Sequence, residues 1–143
     1  MREKNTAAFV GAIIGNIIGL AVVNTVPLWA QLTHGVVLRS WVDVLWAVNL
    51  SLIVQIIGNG ALTVYRPARL YSLIQAIFAA VGLLSVIVFY EVFPLDFSQV
   101  VGAWLNALVR LILIVAIAGT LVALIVNLVR AVTRTPYTAP REE

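Results

Sequence analysis

Residues 111–129 decide the class of this protein; they read LILIVAIAGTLVALIVNLV. The stretch contains no charged residue, and its polar side chains are those of Thr120 and Asn127. An α-helix rises about 1.5 Å per residue, and the hydrocarbon core of a bilayer is about 30 Å thick. The stretch is therefore long enough, and apolar enough, to predict a transmembrane helix.

Three earlier segments have the same character, and each is bounded by proline or by charged residues. The first has a basic start but is too long for the apolar part of a signal peptide, and no A-x-A cleavage pattern follows it, so we expect a retained helix. The fold class predicted is all-α, a polytopic membrane protein with a four-helix transmembrane bundle. The predicted ranges are about 7–26 (ending before Pro27), 41–65, 70–93 and 99–132, in a single domain 1–134 with a disordered cytoplasmic tail 135–143.

The composition supports lipid as the solvent of this chain. Hydrophobic residues make up 62% and charged residues 10%, against about 45–50% and about 25% in soluble domains. The net charge of +3 comes from residues at the ends of the apolar runs rather than on one face, so we expect no nucleic-acid partner. With no cysteine and a single histidine, His34, we expect no metal and no cofactor.

The distribution of Lys and Arg predicts the orientation, because short cytoplasmic loops carry an excess of both. Two basic residues, Arg39 and Arg110, fall at one end of the predicted helices. Seven fall at the other end, and this end alternates correctly with four crossings: Arg2, Lys4, Arg66, Arg69, Arg130, Arg134 and Arg141. We therefore expect an integral protein of the cytoplasmic or plasma membrane with both termini cytoplasmic.

Residues 97–110, FSQVVGAWLNALVR, precede the cleanest part of the fourth helix. Two placements are open from the sequence. The segment forms a short helix that lies in the outer interface, with Trp104 at headgroup depth, or it extends the fourth helix outward.

The first helix carries two overlapping G-x-x-x-G motifs, formed by Gly11, Gly15 and Gly19. Glycines four residues apart share one helix face, where the backbone of a neighbouring helix can approach closely. In the third helix, Ala79 and Gly82 lie on a similar small-residue side. These five residues are the predicted helix-packing positions.

The second helix has a polar side chain at every fourth position: Ser51, Gln55, Asn59 and Thr63. Together with Gln75 and Asn127 they have two interpretations. They hydrogen-bond and lock the helices together, or they line a path for a polar solute or an ion.

The charged residues predicted near the outer boundary have two interpretations. Arg110 forms an ion pair with Glu91 or Asp43, or all of them are interfacial side chains that extend to water. None of these charges falls in mid-membrane, where a proton-coupled transporter would need an acid.

No nucleotide-binding loop or catalytic order of residues is present, so we expect no enzymatic activity. We expect a protein of the lipid bilayer that acts by association, as a homo-oligomer or as an accessory or scaffold subunit of a larger membrane complex. The alternative function is an oligomeric channel or facilitator for a small solute or ion.

Overall fold

A computed structural model describes residues 2–65 and 67–133 of the chain. Within these residues it contains four α-helices, and a short 3₁₀ helix, Ala30–Thr33, follows the first of them. By length and composition, all four helices are able to cross a membrane. The chain is thus an all-α integral membrane protein, with helices α1 Arg2–Trp29, α2 Trp41–Val64, α3 Ala68–Val92 and α4 Ala103–Thr133.

The helices pack in the order of the chain. Helix α1 lies against α2, α2 against α3, and α3 against α4. In the described part of the chain, α1 contacts neither α3 nor α4, and α2 does not contact α4. The bundle is therefore open, and no described residue in the spans of α1 and α4 is buried.

The interior of the bundle is confined to the two central helices. A helix that has a neighbour on two sides buries more of its surface than a helix at the end of a row, and α2 and α3 are the two helices in that position. Their buried apolar residues are Val44, Ala47 and Leu62 in α2 and Ile74, Ala76 and Ala79 in α3.

The loops after α1 and after α3 pair with each other at one end of the bundle. Leu38 N donates to Pro94 O at 3.0 Å, and Asp96 N donates to Val36 O at 2.8 Å, which makes a short antiparallel bridge. We call this end, formed by residues 30–40 and 93–102, the loop end. The bridge joins the α1–α2 pair to the α3–α4 pair at this end, although the described residues of α1 and α4 do not touch.

Three helix boundaries differ from those expected by three residues or more. Helix α1 begins at Arg2 rather than near residue 7. Helix α1 does not stop before Pro27 but continues to Trp29. Helix α4 begins at Ala103, so residues 103–110 are its first two turns and stand upright instead of lying as a separate helix. The predicted tail 135–143 lies outside the described residues.

Candidate functional site

Pro27 lies inside α1, and a side chain of α2 compensates for its missing N–H. In a regular helix the N–H of residue 27 would donate to the carbonyl of Val23, four residues earlier. Here the indole Nε1–H of Trp41 donates to that oxygen at 3.1 Å. A carbonyl left without a donor in lipid is costly, so this contact explains why the helix can pass through proline.

A pair of asparagines forms a second polar link between α1 and α2. Asn24 Nδ2 donates to Asn49 Oδ1 at 2.7 Å, and Asn49 Nδ2 donates to Asn24 Oδ1 at 3.0 Å. Both amides therefore use a donor and an acceptor on each other. Asn49 was not among the predicted site residues, because its spacing does not match the polar stripe of α2.

The predicted polar stripe of α2 is bonded mainly along its own helix. Gln55 Nε2 donates to Ser51 Oγ at 3.1 Å, Asn59 Nδ2 to Gln55 O at 2.7 Å, and Thr63 Oγ1 to Asn59 O at 2.9 Å. Ser51 and Asn59 are buried, with 7% and 6% of their surface exposed. The stripe carries no titratable group, so it offers hydrogen bonds but no acid–base chemistry near neutral pH.

Gly58 is the glycine at which α2 and α3 approach each other most tightly. A Cβ atom at this position would collide with the ring of Phe78 and would lie 3.0 Å from Ile74 Cγ2. Directly before Asn59 of the polar stripe, the missing side chain of Gly58 thus accommodates an aromatic ring. The sequence contains the signal, a glycine within an apolar helix, but it does not show which glycine faces a neighbour.

Ser85 links α3 to α2 nearer the loop end. Its hydroxyl lies 2.7 Å from Ala47 O across the interface and 2.9 Å from Val81 O in its own helix. Nearby, the rings of Trp41 and Phe89 meet edge to face with their centroids 5.8 Å apart. The interface between α2 and α3 therefore combines small residues, the Ser85 hydroxyl and aromatic packing.

Gly11 and Gly15 of the G-x-x-x-G motifs point away from α2, whereas Gly19 lies against it. A Cβ at Gly11 or Gly15 would meet no atom within 4 Å, and one at Gly19 would lie in ordinary contact with Leu52, 3.6 Å from its Cδ2. Ile18 and Val22, which border these glycines, are 58% and 55% exposed. We call Gly11, Gly15, Ile18 and Val22 the glycine face of α1; it has no neighbour in the described chain.

The structure disperses the other predicted positions. Ala79 of α3 is buried, whereas Gly82 has open space beside it. Asn127 bonds back to Ala123 O in its own helix at 2.9 Å. Gln75 is half-buried, and no described residue hydrogen-bonds its amide.

Arg110 stacks on aromatic rings. Its Cζ lies 4.5 Å from the centroid of the Phe93 ring and 6.0 Å from that of Tyr90. Within the described residues it makes no ion pair with Asp43 or Glu91, both of which are exposed.

Asp96 organises the turn that leads into α4. Its Oδ1 accepts hydrogen bonds from Ser98 N and from Asn106 Nδ2, both at 2.9 Å, while Asn106 Oδ1 accepts from Phe97 N at 2.9 Å. These bonds favour the ionised carboxylate. Hydrogen bonding by the Ser98 side chain and backbone, and then by Asn106, lowers the pKa of Asp96 from its ordinary value of 3.8.

His34 is exposed in the turn after the 3₁₀ helix, with a positive φ of 51°. Among the residues that the structure describes, no group of three or more His, Asp or Glu side chains could hold a metal ion.

An apolar cleft opens between the second, third and fourth helices. It has a volume of about 240 Å³ and is lined by Val48, Ser85, Val86, Phe89 and Leu113. It lies in the half of the helices nearer the loop end. The cleft exists because α4 packs on α3 without reaching α2.

Comparison with known proteins adds no assignment: no protein-family model matches this chain, and no curated protein or solved structure is significantly similar to it.

Proposed function

We propose that this protein acts by association within the membrane, without enzymatic activity, as a homo-oligomer or as an accessory subunit of a larger membrane complex. The observation that carries the proposal is the glycine face of α1, which has open space beside Gly11 and Gly15. Glycine inside a helix is less favourable than alanine by about 1 kcal/mol. Between helices in a membrane, however, small residues permit close backbone packing.

The open bundle supports the same proposal. Helix α1 uses its other side to bind α2, through the Asn24–Asn49 pair and the Trp41 indole. Its glycine face is therefore available to a helix from outside the chain. In the central parts of the spans, away from the charged residues near the helix ends, the polar side chains are amides and hydroxyls. These groups are suited to packing and do not titrate near neutral pH.

The experiment is affinity purification from native membranes in a mild detergent, read by particle mass and by mass spectrometry. We expect a particle with more than one protein subunit. Gly15→Leu should reduce it to a single protomer, because the larger side chain prevents close approach. Ile17→Leu, on an exposed position outside the glycine face, is the matched control and should leave the assembly intact. A wild-type particle with one protomer and no second protein contradicts the proposal.

We also propose that both termini are cytoplasmic, on the strength of the seven basic residues at that end. The chain has no cysteine, so in a single-cysteine variant the maleimide labels this protein only at the introduced thiol. A membrane-impermeant maleimide on intact cells should label Val100→Cys at the loop end and not Val132→Cys near the end of α4. The reverse labelling pattern contradicts the orientation.

A channel or facilitator for a small solute or ion is the second candidate, and Gln75 is the observation that favours it. Its half-buried amide has no hydrogen-bond partner among the described residues. The donors of the α2 stripe, in contrast, are bonded within α2, which favours a packing role. If the chain conducts, liposomes with the purified protein should show flux that Gln75→Leu reduces; absence of flux across ions and small polar solutes contradicts this candidate.

A further inference from the structure

The apolar cleft between α2, α3 and α4 continues outward to an unpaired cation. Phe89 of α3 and Leu113 of α4 line the cleft. In α4, Arg110 lies three residues before Leu113. Its guanidinium stacks on Phe93, which follows Phe89 by four residues. Since residues three or four apart share a helix face, the guanidinium lies about one helical turn beyond the cleft, toward the loop end.

The spacing of the charges on α4 places this guanidinium at headgroup depth. Arg110 and Arg130 are the charged residues that flank the uncharged stretch 111–129. The two positions are 20 helical steps apart, which corresponds to about 30 Å, the thickness of the hydrocarbon core. With both guanidinium groups at the membrane boundaries, the cleft lies just inside the hydrocarbon of the loop-end leaflet.

The charge of Arg110 is not neutralised by the protein. In the described part of the chain no carboxylate forms an ion pair with it. The nearest acid on the turn before α4, Asp96, already accepts hydrogen bonds from Ser98 and Asn106. Stacking on a ring uses the face of the guanidinium and leaves the N–H donors at its edge for an oxyanion.

We propose that the cleft and Arg110 together bind one anionic phospholipid of the loop-end leaflet. An acyl chain fills the apolar cleft, and the lipid phosphate accepts hydrogen bonds from the Arg110 guanidinium. Ser85 does not make the cleft wall polar, because its hydroxyl already donates a hydrogen bond to the Ala47 carbonyl. An acyl chain is the matching occupant because the cleft opens to the bilayer and is otherwise lined by hydrocarbon side chains.

The test is native mass spectrometry of delipidated protein with equimolar phosphatidylglycerol and phosphatidylcholine that have identical acyl chains. We expect one phosphatidylglycerol per protomer, retained about tenfold over phosphatidylcholine, because the choline cation of phosphatidylcholine offsets the charge of the phosphate that Arg110 contacts. Arg110→Gln should bring this ratio close to one. Arg110→Lys, which keeps the charge, should retain part of the preference.

Two further variants separate a built site from general attraction. Arg130→Gln, which removes the exposed cation at the other end of α4, should leave the ratio unchanged. Leu113→Trp should fill the cleft and reduce retention of both lipids, with an unchanged circular dichroism spectrum as the check on folding. Equal retention of the two lipids by the wild type, an unchanged ratio in Arg110→Gln, or an equal loss in Arg130→Gln overturns the proposal.

Discussion

The Trp41 indole donates to the Val23 carbonyl, which Pro27 leaves without its usual donor. The stability lost when the indole N–H is removed should therefore depend on whether residue 27 is proline. Trp41→Phe removes the Nε1–H that donates at 3.1 Å but keeps an aromatic ring beside Phe89. Hydrogen bonds between membrane helices contribute about 0.6–2 kcal/mol, and a carbonyl left unpaired costs about 1–3 kcal/mol. We therefore expect the free energy of unfolding to fall by about 1–2 kcal/mol.

Trp41→Phe should lower the free energy of unfolding much less when residue 27 has a backbone N–H that can itself donate to Val23 O. In Pro27→Ala, the restored N–H donates to Val23 O within the helix. The indole then becomes a second donor to a carbonyl that is already bonded. In a double-mutant cycle the loss of ring packing cancels, and we expect a coupling energy of about 1 kcal/mol between positions 27 and 41.

The assay is reversible unfolding in mixed micelles by titration with sodium dodecyl sulfate, followed by circular dichroism. Trp46→Phe is the matched control, since Trp46 is 54% exposed on the same helix, and its effect should not depend on residue 27. If Trp41→Phe lowers the free energy of unfolding by the same amount with proline and with alanine at position 27, the indole does not compensate for Pro27.

The remaining predictions use the same unfolding assay. Gly58→Ala should destabilise the fold by about 1–3 kcal/mol, because the added Cβ has no room against the Phe78 ring. Gly60→Ala is the control: its Cβ would enter open space, so it should be neutral or stabilising. Equal effects of the two substitutions would refute the close contact at Gly58. In a double-mutant cycle, Asn24→Ala and Asn49→Ala should couple by about 0.6–2 kcal/mol; additive effects would mean that the two amides do not bond. Since the pKa of Asp96 is lowered in the folded state, its contribution to stability is complete above pH 3.8 and is lost as the pH falls through the lower folded value. The stability of Asp96→Asn should therefore depend less on pH below 3.8 than that of the wild type, and identical profiles would contradict the hydrogen-bonded carboxylate.

Hydropathy alone predicted the four apolar helices, because the cost of exposing charge or backbone to lipid acts on every residue of a span. The predicted start of the second helix, residue 41, agrees with the structure. Proline misled the prediction for the end of the first helix. Whether Val23 O finds another donor depends on the position of Trp41, which is a tertiary contact that no local pattern of α1 contains.

The glycines illustrate a second limit of the sequence. The spacing of Gly11 and Gly15 matches a packing motif, yet their face is open within the described chain. Gly58 lacks that spacing, and nevertheless side chains of the neighbouring helix fill the place of its missing Cβ. A periodic pattern identifies a face on one helix, whereas packing depends on which helix lies opposite and at what height. The predicted packing role of the α1 glycines therefore depends on a neighbour from outside the chain.

Photocrosslinking in native membranes tests most directly whether the glycine face of α1 binds another protein. The residues Ile17 and Ile18 are both exposed, but at about 100° per residue they lie about 160° and about 60° from Gly15 around the helix. A photoreactive side chain at residue 18 should form a protein adduct, with a second copy or with another subunit, and one at residue 17 should react mainly with lipid. If residue 18 also yields lipid adducts alone, the glycine face is a lipid-facing surface and the protein does not act by association through it.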